Sequence, residues 1–173
     1  MECAAGYYSN GEEKYKPLGE TEFVINLINE SKKLKNSTNI IGIIGYADLM
    51  LGNEVKDVLD KHLSKGMGLF KGIRHAAGWD INLEIHNSHS NPIENIYYNK
   101  SFRKGAEELI KLNLTFDAWH YHHQIKDLNN FAINFPELTI IHDHFGGPLG
   151  VGPYKGKKKE IFKKWKDDIS LLS

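Results

Sequence analysis

"LTFDAWHYHHQI", residues 114–125, decides the fold. It begins as an aromatic and β-branched run and turns polar from His120 to Gln124. It then enters a stripe of Ile125, Leu128, Phe131, Ala132 and Phe135 at helical spacing. A strand with its polar residues at the far end, followed at once by a helix, is one βα unit. The pattern recurs on both sides. "NIIGIIGYADL" (39–49) reads as a strand buried on both faces. Val55, Val58, Leu59, His62 and Leu63 then form a helix stripe, with Asn53 as the expected cap. "LFKGIR" (69–74) is a strand, residues 77–99 a long polar loop, and a helix from Ser101 carries Phe102, Ala106, Leu109 and Ile110. "LTIIHDH" (138–144) is a strand, followed by a helix with Ile161, Phe162, Trp165, Ile169 and Leu172. An earlier helix near 20–34 uses Phe23, Leu27, Ile28 and Leu34, and the first residues are the expected end of one more strand. Strict alternation predicts an α/β domain spanning 1–173, with about five parallel strands joined by helical crossovers.

An open sheet and a barrel both satisfy that alternation. "GGPLGVG" (146–152) has glycines, but proline and leucine interrupt any phosphate cradle. Polar residues instead gather at the C-terminal end of one strand after another: Asp48, Arg74 with His75, His120 with His122, and His142 with His144. That distribution points to part of a (β/α)8 barrel.

Lys plus Arg equals Asp plus Glu at 22 each, so the formal charge is zero. This argues against nucleic-acid or anionic-membrane partners, which select a basic excess. The Lys155–Lys159 cluster and Lys164 read as a solvated helix face. A single cysteine, Cys3, excludes an intrachain disulfide, the N-terminus lacks a signal-peptide pattern, and the longest apolar run is too short to span a bilayer. A cytoplasmic location is expected.

Side chains alternate along a strand, so His142 and His144 are expected on one face, as are His120 and His122. Imidazoles on neighbouring strand ends can ligate a divalent ion or move protons, and these four alone would make a plain metal-binding protein. His62, His86 and His89 read as hydrogen-bonded core or surface residues. Arg74 presents a guanidinium for a substrate carboxylate or carbonyl, or else for a structural ion pair. His75, Trp79, Tyr121 and Gln124 are substrate-pocket candidates, and Asp143 is expected to bond loop backbone.

"LFKGIRHAAGWD" (69–80), "NSHSNP" (87–92), "LTFDAWHYHHQI" (114–125) and "IIHDHFGGPLGVGPYKGKKKEIFKKW" (140–165) together resemble the amidohydrolase-related branch of the amidohydrolase superfamily, which includes lactonases. The resemblance implies a TIM barrel with its site at the C-terminal strand ends. It implies functional roles for His122 and His144, with Arg74, and makes His120 and His142 extra histidines. A divalent ion, zinc or manganese, would sit on His122 and His144, although a metal-free site fits the branch equally. The implied reaction is opening of a lactone or ester, such as that of a sugar acid or carboxylated ring, a small-molecule substrate. Decarboxylation by the same superfamily, or an inactive fragment, is the alternative. The resemblance covers only the middle of the family. The first-strand H-x-H and the eighth-strand aspartate are absent, so the expectation is a domain truncated at both ends, prone to self-association through open sheet edges.

Overall fold

The computed structural model describes residues 3–34, 39–88 and 90–172. Strands β1 (Ile43–Gly45), β2 (Phe70–Arg74), β3 (Thr115–Ala118) and β4 (Ile140–His142) pair in that order, every pair parallel. Helices α2 (Val55–Lys65), α3 (Lys100–Lys111) and α4 (Ile125–Asn134) connect them; α1 (Leu18–Ser31) precedes β1 and α5 (Lys158–Ile169) follows β4. The alternation stands, with four strands among the described residues rather than about five: residues 3–10 contain turns and bends but no strand. His89 lies outside the described residues.

The strands are shorter than their apolar runs. Beyond Ala118 the chain leaves the sheet because Trp119 O accepts from Ala77 N–H at 2.7 Å, tying it to the loop after β2. Beyond His142 it leaves because His144 and Phe145 take left-handed backbone, φ 51° and 55°. His142 and His144 therefore do not share a strand face. Asn53 is not a cap. Asp48 accepts from Met50 N–H at 2.8 Å and opens a 3-10 segment, Leu49–Glu54, that runs into α2. Asn99 caps α3 through Ser101 and Phe102 N–H.

Register divides the sheet into two faces. Ile73 pairs with Phe116, which pairs with Ile140, and Ala118 pairs with His142. On this face Phe116 meets Tyr97, Phe102 and Phe131, all fully buried, with ring centroids 5.9–6.5 Å apart and mostly edge-on. Gly105 lets α3 rest against the 49–54 segment, since a Cβ there would meet Leu49 O at 2.4 Å. Arg74, Asp117 and Ile141 form the neighbouring row, one residue out of phase and so on the opposite face.

The stripes of α2 and α4 are buried as the spacing predicts. That of α1 is displaced. Leu18, Thr21, Ile25 and Ile28 pack inward, while Phe23, Leu27 and Leu34 are exposed. His62 is the histidine of the core, completely buried between α2 and β2. Its Nε2–H donates to Tyr46 O at 2.9 Å, its Nδ1 accepts from Thr21 Oγ1 at 2.8 Å, and its ring stacks on Phe70 at 4.6 Å. Burial holds its pKa down at about 4 despite the Tyr46 bond, so it stays neutral.

Candidate active site

The C-terminal strand ends form two polar groupings. On the face opposite the aromatic core, Arg74 Nε lies 2.8 Å from Asp143 Oδ2, with both side chains about one-tenth exposed. The contact is close in distance but is not aligned as an N–H···O hydrogen bond. Asp143 therefore holds Arg74 rather than loop backbone. Asp117, opposite Arg74 in the register, is buried, and its Oδ1 has no hydrogen-bond partner among the described residues. Burial and the neighbouring Asp143 push its carboxyl up to about 6, against the pull of Arg74. A carboxyl titrating near neutral pH beside a fixed guanidinium can act as a general base. Asp117 was not among the residues picked from the sequence. Its only signal there is strand alternation, which hides it inside an apolar run.

The second grouping ties loops together. Gln124 Nε2 donates to Ala77 O at 2.8 Å, and its Oε1 accepts from Trp79 and Tyr121 N–H. Tyr121 OH donates to His86 O. His123 Nε2 and Tyr154 OH both donate to Asp80, at 2.9 and 2.7 Å. Burial raises the Asp80 carboxyl, but these bonds and Asn82 N–H outweigh it and hold the pKa low. Of the expected pocket residues, Tyr121 and Gln124 thus serve the loop scaffold. His75 is buried, with Nδ1 accepting from Leu49 N–H at 3.2 Å and its ring edge-on to Phe102. Trp79 is half-buried.

His122 and His144 differ in their surroundings. His122 is buried, with Nδ1 facing Leu149 N–H at 3.5 Å and its ring edge-on to Tyr154 at 5.2 Å. Burial, then the neighbouring His123, holds its pKa down at about 4. His144 is exposed on left-handed backbone. Among the described residues no group of three or more His, Cys, Asp or Glu is placed to hold a metal ion. A metal on His122 and His144 would thus lack a third protein ligand among the described residues. Beside them, a cavity of about 490 Å³ opens between the 145–150 loop and α5, walled by Phe145, Leu149, Tyr154, Phe162 and Trp165.

No family model matches the chain. Among curated proteins, the uncharacterized protein y4mH of Sinorhizobium fredii (strain NBRC 101917 / NGR234) is 29% identical over 121 residues, which is 69% of this chain and 39% of that protein. Among solved structures, an amidohydrolase from Burkholderia multivorans matches in two crystal forms. With bound HEPES it has a TM-score of 0.59 at 15% identity, covering 86% of this chain. With bound zinc it has a TM-score of 0.60 at 16% identity, covering 88%. This chain spans 45% of that amidohydrolase and about two fifths of the curated relative. No helix among the described residues is long and apolar enough to cross a membrane. Over most of its length the chain has the fold of an amidohydrolase, matching a little under half of one.

Proposed function

We propose that the chain is part of a hydrolase of the amidohydrolase type, an arc of a (β/α)8 barrel that opens a lactone or related ester of a sugar acid or carboxylated ring. The observation carrying this reading is the Arg74–Asp143 pair with Asp117 beside it, at the carboxyl ends of parallel strands. Asp117 takes a proton from water as the oxygen adds to the carbonyl carbon. Arg74 faces the oxygen that gains negative charge. The ring C–O bond then breaks, and the leaving alkoxide takes the proton that Asp117 accepted, which regenerates the carboxylate. Asp143 fixes the guanidinium. His144 and Trp79 stand at the substrate approach, while His122, His75, Tyr121 and Gln124 hold the loops that frame it. No step runs through a metal ion.

The test is acid release from a panel of γ- and δ-lactones, followed with a pH indicator. The expected rate rises as pH passes about 6, because the base must be deprotonated, and Asp117→Asn lowers kcat by roughly 10²–10⁴-fold. An Asp117→Asn chain as fast as the unmodified one would sink the reading.

A second reading is favoured by the edges. Among the described residues β1 and β4 each pair on one side only, and Ile141 on β4 is 46% exposed. Self-association through these strands would cover them. Light scattering on eluted protein would read it as a dimer or larger.

A further inference from the structure

The cavity between the 145–150 loop and α5 takes no part in the chemistry assigned to Arg74 and Asp117. At about 490 Å³ it has the volume of a small-molecule site. Four aromatic rings wall it, those of Phe145, Tyr154, Phe162 and Trp165, and Leu149 adds to them. Phe145 is 73% exposed and Phe162 59% exposed. Rings left open to water around a concavity gain from any apolar body that covers them.

The walls are held in place before a ligand arrives. Trp165 Nε1–H donates to Phe145 O, which ties α5 to the loop. Phe162 and Trp165 stack, with ring centroids 5.6 Å apart and planes inclined by 27°. Tyr154 OH donates to Asp80 at 2.7 Å. The indole N–H and the phenol hydroxyl are thus both engaged, and these rings offer the cavity apolar surface. Such walls suit a ring without hydroxyls better than a sugar, whose hydroxyls would lose water for little return. The charge beside them has one sign. Lys158, the first residue of α5, is exposed and is the one charged side chain among the described lining residues. Residues 155–166 carry seven lysines and one acid, Glu160. Lys164 pairs with Asp168, whereas Lys158 has no acidic partner among the described residues. An unpaired ammonium beside an apolar cavity selects an anion with an apolar body.

We propose that this cavity binds a planar aromatic carboxylate of one or two rings. The rings lie against the four aromatic side chains, and the carboxylate meets the Lys158 ammonium. Both halves of the ligand are needed. An inorganic anion leaves the apolar walls in water, and a neutral hydrocarbon leaves the ammonium without a partner. The site does not depend on the hydrolase reading, since none of its wall residues takes part in that reading's chemistry.

The test titrates the full chain with 2-naphthoate and, separately, with 2-naphthalenemethanol, its uncharged counterpart, by calorimetry and by ¹⁵N–¹H NMR. The expected result is one naphthoate per chain, with shifts concentrated at Gly150, Phe162 and the Trp165 indole N–H. Naphthoate binds more tightly than the alcohol at low salt, and the difference shrinks as sodium chloride is added. Lys158→Met weakens naphthoate roughly twofold to fivefold and leaves the alcohol unchanged. Phe162→Ala weakens both roughly tenfold. Both side chains are exposed, so neither change threatens the fold, and the NMR spectra verify that. Absence of saturable binding, shifts centred away from the cavity, equal affinity for acid and alcohol at low salt, or full naphthoate affinity in Lys158→Met would overturn the proposal. So would a dimer whose dilution, rather than naphthoate, produces the shifts, because a second copy would then fill the cavity.

Discussion

Phe116 and Asp117 are chain neighbours on β3 and live in different worlds. Phe116 is fully buried among aromatic rings under the helices. Asp117 sits across from Arg74, on the face where Ile141 is half exposed. Alternation along one strand thus assigns packing to one side of the backbone and charge to the other. On the first side the energetic question is volume. On the second it is whether each charge has a partner.

The largest effect should come from the packed side. Phe116→Ala removes a fully buried ring and should cost about 3–5 kcal/mol, read from urea unfolding. A loss near 1 kcal/mol would show that the aromatic cluster is loosely built. On the charged side, Asp143→Ala takes the close carboxylate from a nearly buried Arg74 guanidinium. A cost of about 3 kcal/mol is expected, whereas the double change Arg74→Met, Asp143→Leu should be close to neutral. Equal costs for single and double changes would erase the contrast between the two faces.

His62 sharpens the comparison, as a polar side chain in the packed region. Its folded pKa, about 4, lies below the ordinary 6.5, so between those values the unfolded chain binds the extra proton. Stability is level above pH 6.5 and falls as pH drops toward 4, by up to about 3 kcal/mol. His62→Gln should flatten that stretch of the stability–pH curve. The smallest effect belongs to neither face. Lys56 and Asp60 pair across one exposed turn of α2, and Lys56→Ala should move stability by less than about 0.5 kcal/mol.

The parallel α/β plan was legible because each helix stripe and each apolar run is local. α2 and α4 bury most of their predicted stripes, with Leu63 and Ala132 half-buried. On α1 the apolar residues suit two faces, and the choice fell to packing: Ile25 and Ile28 went inward, Phe23 and Leu27 outward. The strand run 114–122 was overread because Trp119 bonds a loop more than forty positions upstream. The site was harder. Arg74 stood out by its place after an apolar run, but its partner Asp143 and its neighbour Asp117 depend on inter-strand register. His120 and His142 read as surplus because the resemblance assigns them no role. Only register, which pairs Ala118 with His142, brings them face to face.

The four residues His144–Gly147 all take positive φ, 51°, 55°, 73° and 49°, so the chain makes one turn of the wrong hand directly after β4. Saturation mutagenesis across these positions would therefore meet two filters of different origin. One is handedness, which admits glycine, asparagine and aspartate and rejects valine and isoleucine whatever the chemistry. The other is whatever the imidazole of His144 does. Asparagine at 144 passes the first filter and fails the second, so a comparison of His144→Asn with His144→Val separates tolerance of shape from demand for function at a single codon.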